Sequence, residues 1–153
     1  VTSEPAPPRP LEQRITDTRR LLETTVDAWV ATADPGTGRP WMVPLSFAWT
    51  GSVIVLGTGA DSRTVSNVAA QPWVRLGIGF VRDVVLVHGT ASVVEMADVD
   101  PAEADLFAER AGFDPRELSN PYAYLHVTPR RIQAWREENE LAEREIMRDG
   151  RWL

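Results

Sequence analysis

The sequence contains no cysteine, which excludes disulfides, thiolate metal sites and cysteine nucleophiles. It contains no lysine either. All 16 basic residues are arginine, so Schiff-base chemistry and a lysine phosphate clamp are excluded, and arginine is the only fixed cation for an anionic ligand. Histidine is scarce: His88 and His126 stand in separate strand-like runs, and no metal site is expected. A surplus of positive charge is also missing, and the net charge of −6 argues against a nucleic-acid partner. No apolar run reaches membrane-spanning length, and the N-terminus lacks the basic-then-apolar order of a signal peptide. The sequence therefore predicts a cytoplasmic protein with no membrane partner.

What is present is enough for one core. A chain of 153 residues with 43% hydrophobic content suits a single domain over 11–153, preceded by a flexible proline-rich arm, VTSEPAPPRP, over 1–10. Leu11, Ile15, Leu22 and Val26 predict a helix across 10–25. Residues 28–33 read as a short strand, DPGTGRP over 34–40 as a hairpin turn, and 41–50 as the return strand, with Pro44 demanding an edge or a bulge. Val74, Leu76, Ile78 and Phe80 alternate with Arg75, Gly77 and Gly79, which predicts a strand with one buried face, and 84–94 reads as a long strand. Pro101 and the acidic residues after it open a helix to residue 111. Tyr122 to Val127 and Ile132 to Trp135 read as strands either side of a Thr-Pro break. Strands with short connections and one inserted helix predict a mainly β, α+β chain forming a closed or partly closed antiparallel barrel. The tail after Arg136 carries Leu141, Ile146, Met147 and Trp152, which predicts packing, with a second subunit as the surface it covers.

Residues 53–67, VIVLGTGADSRTVSN, organise the chain. The apolar run Val53–Leu56 reads as a strand, Gly57 to Ala60 as a close turn, and Asp61 or Ser62 as the N-cap of a helix with Val65, Val68 and Ala69 on one face. The first turn of such a helix presents unpaired N–H groups and the positive end of its dipole, which suit a phosphate oxygen. Thr58, Ser62 and Thr64 add hydroxyl donors and Arg63 a guanidinium. The same residues also suit an ordinary capped turn with a solvated arginine, and Asp61 would repel a phosphate.

Four segments, taken in order, resemble the pyridoxamine 5′-phosphate oxidase-like split β-barrels, a family that includes deazaflavin-dependent reductases. WMVPLS at 41–46 is similar to the strand laid against the flavin ring. GTGADSRT at 57–64 looks like the phosphate-binding turn, with Thr64 where lysine is usual. RDVVLVHGTASV at 82–93 resembles a strand whose glutamine reaches the ring, with Asp83 in that place. TPRRIQAW at 128–135 resembles the strand whose tryptophan packs by the cofactor across a dimer interface, and Arg144 matches a downstream cofactor-contacting arginine.

The resemblance implies a six- to seven-stranded antiparallel split β-barrel with a few peripheral helices, working as a homodimer on a small-molecule substrate. It implies an oxidoreductase using FMN, or alternatively coenzyme F420, with the ring on Val43, Pro44, Leu45 and Ser46. The cofactor phosphate would lie at Gly57, Thr58, Ser62, Arg63 and Thr64, and Asp83, Trp135 and Arg144 would complete the site. No catalytic residue is assigned. The vitamin B6 oxidases hold their substrate phosphate with a lysine and an arginine where this chain has Ser46 and Glu140, and losing two cations predicts weak binding of a phosphorylated substrate.

Other readings remain open. Trp135 also suits core packing. Trp41 suits the cofactor, a dimer seam or packing at a hairpin end. Asp83 is able to pair with Arg82 and Arg144 with Glu140, while His88 reads as a satisfied core residue. A carrier or sensor that binds flavin or F420 without turnover, and a cofactor-free dimeric scaffold, are the alternatives to an enzyme.

Overall fold

The computed structural model describes residues 6–153. Alternating buried and exposed side chains build β1 (Asp27–Ala33), β4 (Trp73–Ile78) and the long β5 (Val84–Glu95). With β2 (Pro40–Trp49), β3 (Ile54–Gly59) and β6 (Tyr122–Trp135) they form an antiparallel sheet in the order β3-β2-β1-β4-β5-β6. Pairing of β3 with β6, from Ile54 opposite Val127 to Gly59 opposite Tyr122, closes it into a six-stranded barrel. Two further strands, β7 (Glu145–Arg148) and β8 (Arg151–Trp152), extend from β6. The main core fills the barrel with Val30, Phe47, Ile54, Leu56, Leu76, Val87, Leu125 and Ile132.

Three helices pack on the sheet. α1 (Leu11–Thr24) buries Arg14, Ile15, Thr18 and Leu22, one face at helical spacing. α2 (Arg63–Ala70) starts at Ser62, whose hydroxyl accepts from the Val65 N–H at 3.3 Å, as an N-cap should. α3 (Pro101–Ala111) is capped by Asp100, has proline in its first turn and ends at Gly112 with φ +77. Between α3 and the sheet lies a second core of Ala48, Val55, Ala104, Phe107 and Tyr124. Phe107 meets Phe113 and Tyr124 edge to face at 5.7 and 5.5 Å.

Several expectations are corrected. The Thr-Pro break does not split the last long strand: β6 is continuous, because Arg130 is looped out as a bulge opposite His88 and Gly89. Gly89 makes room, since a Cβ there would stand 2.7 Å from the Thr128 carbonyl oxygen. β3 runs on to Gly59, so Gly57 and Thr58 belong to a strand rather than a turn. The buried face of α2 is Thr64, Asn67 and Val68 with Val65 beside them, and Ala69 is exposed; Asn67 Nδ2 donates to Thr32 Oγ1 at 3.0 Å. Phe80 lies beyond β4 and is exposed.

The tail packs on its own barrel. Ile146 and Met147 are buried in the main core, the Asp149–Gly150 turn has both φ angles positive, and the Arg19 guanidinium sits 4.8 Å above the Trp152 ring. Of the proline-rich arm, 1–5 lie outside the described residues. The rest is tied down: Asn139 Nδ2 donates to the Ala6 carbonyl, and Arg9 bonds Glu140 and Asp17.

Candidate functional site

β2 pairs with β1 over Pro40–Ser46 and with β3 only at Phe47–Trp49. Residues 40–46 therefore keep one free backbone edge, and Pro44, which has no N–H to give to a ladder, falls within it. At a strand rise of 3.3 Å per residue the edge from Trp41 to Ser46 is about 16 Å long. Val43, Pro44, Leu45 and Ser46 all lie within it, but only Pro44 and Ser46 turn their backbone groups to the open side, because the Phe47 N–H bond to the Val26 carbonyl sets the ladder so that Val43 and Leu45 face β1. Ser46 is already engaged, donating to Asp27 Oδ1 at 2.7 Å.

At the hairpin end of this edge stands the start of α2. The N–H groups of Arg63 and Thr64 precede the first intrahelical bond, whereas those of Val65 and Ser66 are taken by Ser62. The Arg63 guanidinium lies 5.4 Å over the Trp41 ring and 3.8 Å from Asp34, and is half exposed. A cavity of about 300 Å³ is lined by Arg63, Trp41, Arg39 and Asp34 among others. Sequence reasoning missed Arg39, whose signal was its place as the one arginine of the predicted hairpin turn. Asp34 accepts from the Thr37 N–H and hydroxyl and the Gly36 N–H, in that order of importance, and these bonds hold its carboxyl below the usual range.

Three of the assigned phosphate residues behave differently from expectation. Thr64 is 1% exposed, so its hydroxyl faces the core and only its backbone N–H belongs to the site. Thr58 is buried within the barrel wall. Gly57 is a packing glycine: a Cβ there would stand 2.6 Å from Phe107 Cζ. The hydroxyl of Ser62 accepts from the Val65 N–H as the cap and keeps its own hydrogen to donate. What fits a phosphate is the helix N-terminus with Arg63, and Arg39 across the cavity.

Asp83, Trp135 and Arg144 form a second group. Asp83 does not pair with Arg82; its carboxylate lies 3.0 Å from Arg136 and 3.7 Å from Arg9, while Arg82 pairs with Glu137 at 3.1 Å. Arg144 does not pair with Glu140. It donates to the Leu141 carbonyl at 3.2 Å, and its guanidinium lies 5.8 Å from the Trp135 ring. Glu140 is buried and bound by Arg9. This group sits where β5 begins and β6 ends; around the closed barrel, β3 lies between β6 and β2 on one side and β1, β4 and β5 on the other. Among the described residues no hydrogen bond or ion pair joins the two groups.

His88 is also corrected. It lies half-buried on the outer face, its Nε2 has no hydrogen-bond partner, and burial together with the charges of Arg75 and Arg131 lowers its pKa, so the imidazole is neutral. It borders an apolar cavity of about 510 Å³ with Ala31, Ala33 and Trp73. Among the described residues no group of His, Asp or Glu has metal-holding geometry, and no helix is long and apolar enough to cross a membrane.

A sequence profile described as pyridoxamine 5′-phosphate oxidase matches residues 17–136. Among curated proteins none matches. Solved structures share the fold. One named as an F420 reductase is 21% identical, covers 74% of this chain and 94% of its own, and superposes with a TM-score of 0.59. A Clostridium acetobutylicum protein related to general stress protein 26, of the pyridoxinephosphate oxidase family, is 16% identical over 82% of this chain and 90% of its own, with a TM-score of 0.65. A heme binding protein from Mycobacterium smegmatis is 15% identical over 90% of this chain and 57% of its own, at 0.67. At these identities the likeness concerns the fold. The profile match ends before Glu140 and Arg144.

Proposed function

From the premise that this chain belongs to the pyridoxamine 5′-phosphate oxidase family, we propose that it is a cytoplasmic, homodimeric oxidoreductase that uses FMN, with F420 as the alternative, on a small organic molecule. The observation that carries this reading is the free edge of β2 at 40–46, which runs from the start of α2 toward Ser46 and suits an extended cofactor with a phosphate at one end and a flat ring at the other. Backbone N–H groups of Arg63 and Thr64, with the Arg63 and Arg39 guanidiniums, hold the phosphate. The backbone groups turned to the open side, the Pro44 carbonyl and the N–H and carbonyl of Ser46, hold the ring's polar rim, with Val43 and Leu45 beside them. When bound, a flavin or deazaflavin ring supplies hydride transfer, and the protein supplies position and field.

Asp83, Trp135 and Arg144 reach that ring only from a second copy. The face that supports such a dimer is the outer side of β1, β2 and β4, where Trp29, Trp73 and Met42 are all more than half exposed, with Trp29 directly opposite Pro44. Binding without turnover, as a carrier or sensor, is favoured by one observation: no ionisable side chain of this chain stands at 43–46 to move a proton. Fluorescence titration of cofactor-stripped protein with FMN and with F420 tests the reading. Tight binding of one, weakened at least tenfold, or about 1.4 kcal/mol, by Arg63→Ala, is expected. Binding of neither overturns it.

A further inference from the structure

The turn between β4 and β5 carries Phe80 and Val81, 83% and 92% exposed. Single exposed apolar side chains are ordinary. This pair differs in being held out on a fixed turn. The Asp83 N–H donates to the Phe80 carbonyl at 2.9 Å, and Arg82 is anchored to Glu137 at 3.1 Å. Gly79 enters the turn with φ +83, and a Cβ there would crowd Leu21 of α1 at 3.0 Å and the Asp83 carbonyl at 3.3 Å. Backbone and charged residues are therefore fixed from below, while both apolar side chains are left largely exposed.

The position of the turn says what covers it. Asp83 closes it and is paired with Arg136, the neighbour of Trp135. Val81 and Arg82 share a cleft of about 350 Å³ with Trp135, Glu137 and Leu141. The group that must cross to a second copy to complete the cofactor site thus includes this turn as part of one body. Phe80 is three residues from Asp83, a span of at most about 11 Å even if extended, and the turn bond makes it shorter.

We propose that the Phe80–Val81 turn of each chain forms the mouth of the site on the other chain and selects an uncharged, apolar, planar substrate; this rests on the dimeric cofactor reading above. The charges around the mouth support that class. Ser46 is bonded to Asp27, Glu140 is paired with Arg9, Arg136 with Asp83 and Arg82 with Glu137, so the arginines flanking the turn in sequence and across it are already matched by carboxylates. Two apolar side chains at the rim favour a flat hydrophobic molecule by area buried.

The test uses the cofactor-loaded dimer, with 2-naphthol as the neutral probe and pyridoxine 5′-phosphate as the anionic one, each followed by calorimetry. The dimer is expected to bind 2-naphthol more tightly than the phosphate. The double variant Phe80→Ser, Val81→Ser, which keeps its fold because both side chains are exposed, is expected to lose at least tenfold in 2-naphthol affinity while cofactor affinity stays within about twofold. Mixed dimers locate the turn. One chain with Arg63→Ala and the other with Phe80→Ser retain one complete site if the turn acts across the interface, and none if it acts within its own chain. An unchanged 2-naphthol affinity, tighter binding of the phosphate, a double variant that becomes monomeric, or a mixed dimer without a complete site overturns the proposal and leaves the cofactor reading standing. Failure of the wild-type protein to bind either cofactor overturns both.

Discussion

Arg9 and Glu140 stand 131 residues apart and meet through three hydrogen bonds, from the Arg9 backbone N–H, Nε and Nη2 to the Glu140 carboxylate at 2.9, 2.9 and 2.8 Å. The same carboxylate accepts the Arg136 N–H at 2.8 Å. A position that the family resemblance links to a substrate-binding arginine is thus a buried acid whose charge serves to fix the segment before α1.

Arg9 holds the Glu140 carboxyl at about 2, against an ordinary glutamate value of 4.5. A depressed carboxylate pKa stabilises the fold above the unfolded value and loses that contribution as pH falls through the folded one, here from 4.5 toward 2. Glu140→Gln is expected to be less stable by about 1.5–3 kcal/mol at pH 7 and to show a flatter stability profile across that window. Urea denaturation at several pH values checks both. A parallel loss in wild type and variant would show that the bond does not titrate.

Gly57→Ala is expected to destabilise by about 1–3 kcal/mol, because the new methyl group is forced into the Phe107 ring. Combining it with Phe107→Leu is expected to restore part of the loss in thermal melts. If Gly57→Ala instead kept its stability and lost only cofactor, the glycine would be a ligand-approach residue after all.

The Asp34 carboxylate competes with any phosphate for Arg63. Asp34→Asn keeps an oxygen for the Thr37 and Gly36 N–H groups and removes the charge, so FMN is expected to bind up to about fivefold more tightly, the scale of an exposed ion pair. The gain is expected to shrink in high salt. Fluorescence titration at two ionic strengths measures it.

Trp73→Glu places a charge on the apolar outer face of β4. Light scattering is expected to show a monomer, and cofactor affinity is expected to fall with it, since Asp83, Trp135 and Arg144 no longer arrive from a neighbour. A dimer that persists would locate the interface elsewhere.

Much of the barrel was legible because period-two alternation and turn residues survive in single segments such as Trp73–Ile78 and DPGTGRP. Ser62 as N-cap and Pro101 as helix start were legible for the same local reason. What was not legible depends on distant partners. Nothing near Pro129 announces that Gly89, on another strand, makes room for a bulge. Gly57 reads as a flexible turn until Phe107 is known to lie against it. The apolar tail residues are evident in sequence, but not that the barrel they cover is their own. Thr64 stood at a family lysine position, and its burial follows from the rotation of α2, which spacing alone did not fix.

Closure of the barrel through β3 and β6 sets residues about seventy positions apart side by side. Until that contact forms, both strands present unpaired edges. The chain is therefore expected to fold slowly for its size, in milliseconds to seconds, and to be most prone to aggregate in that interval. Once closed, the barrel leaves the short β8 and the 40–46 edge of β2 open. A cofactor lying on β2 would thus also act as a guard against strand-to-strand self-association.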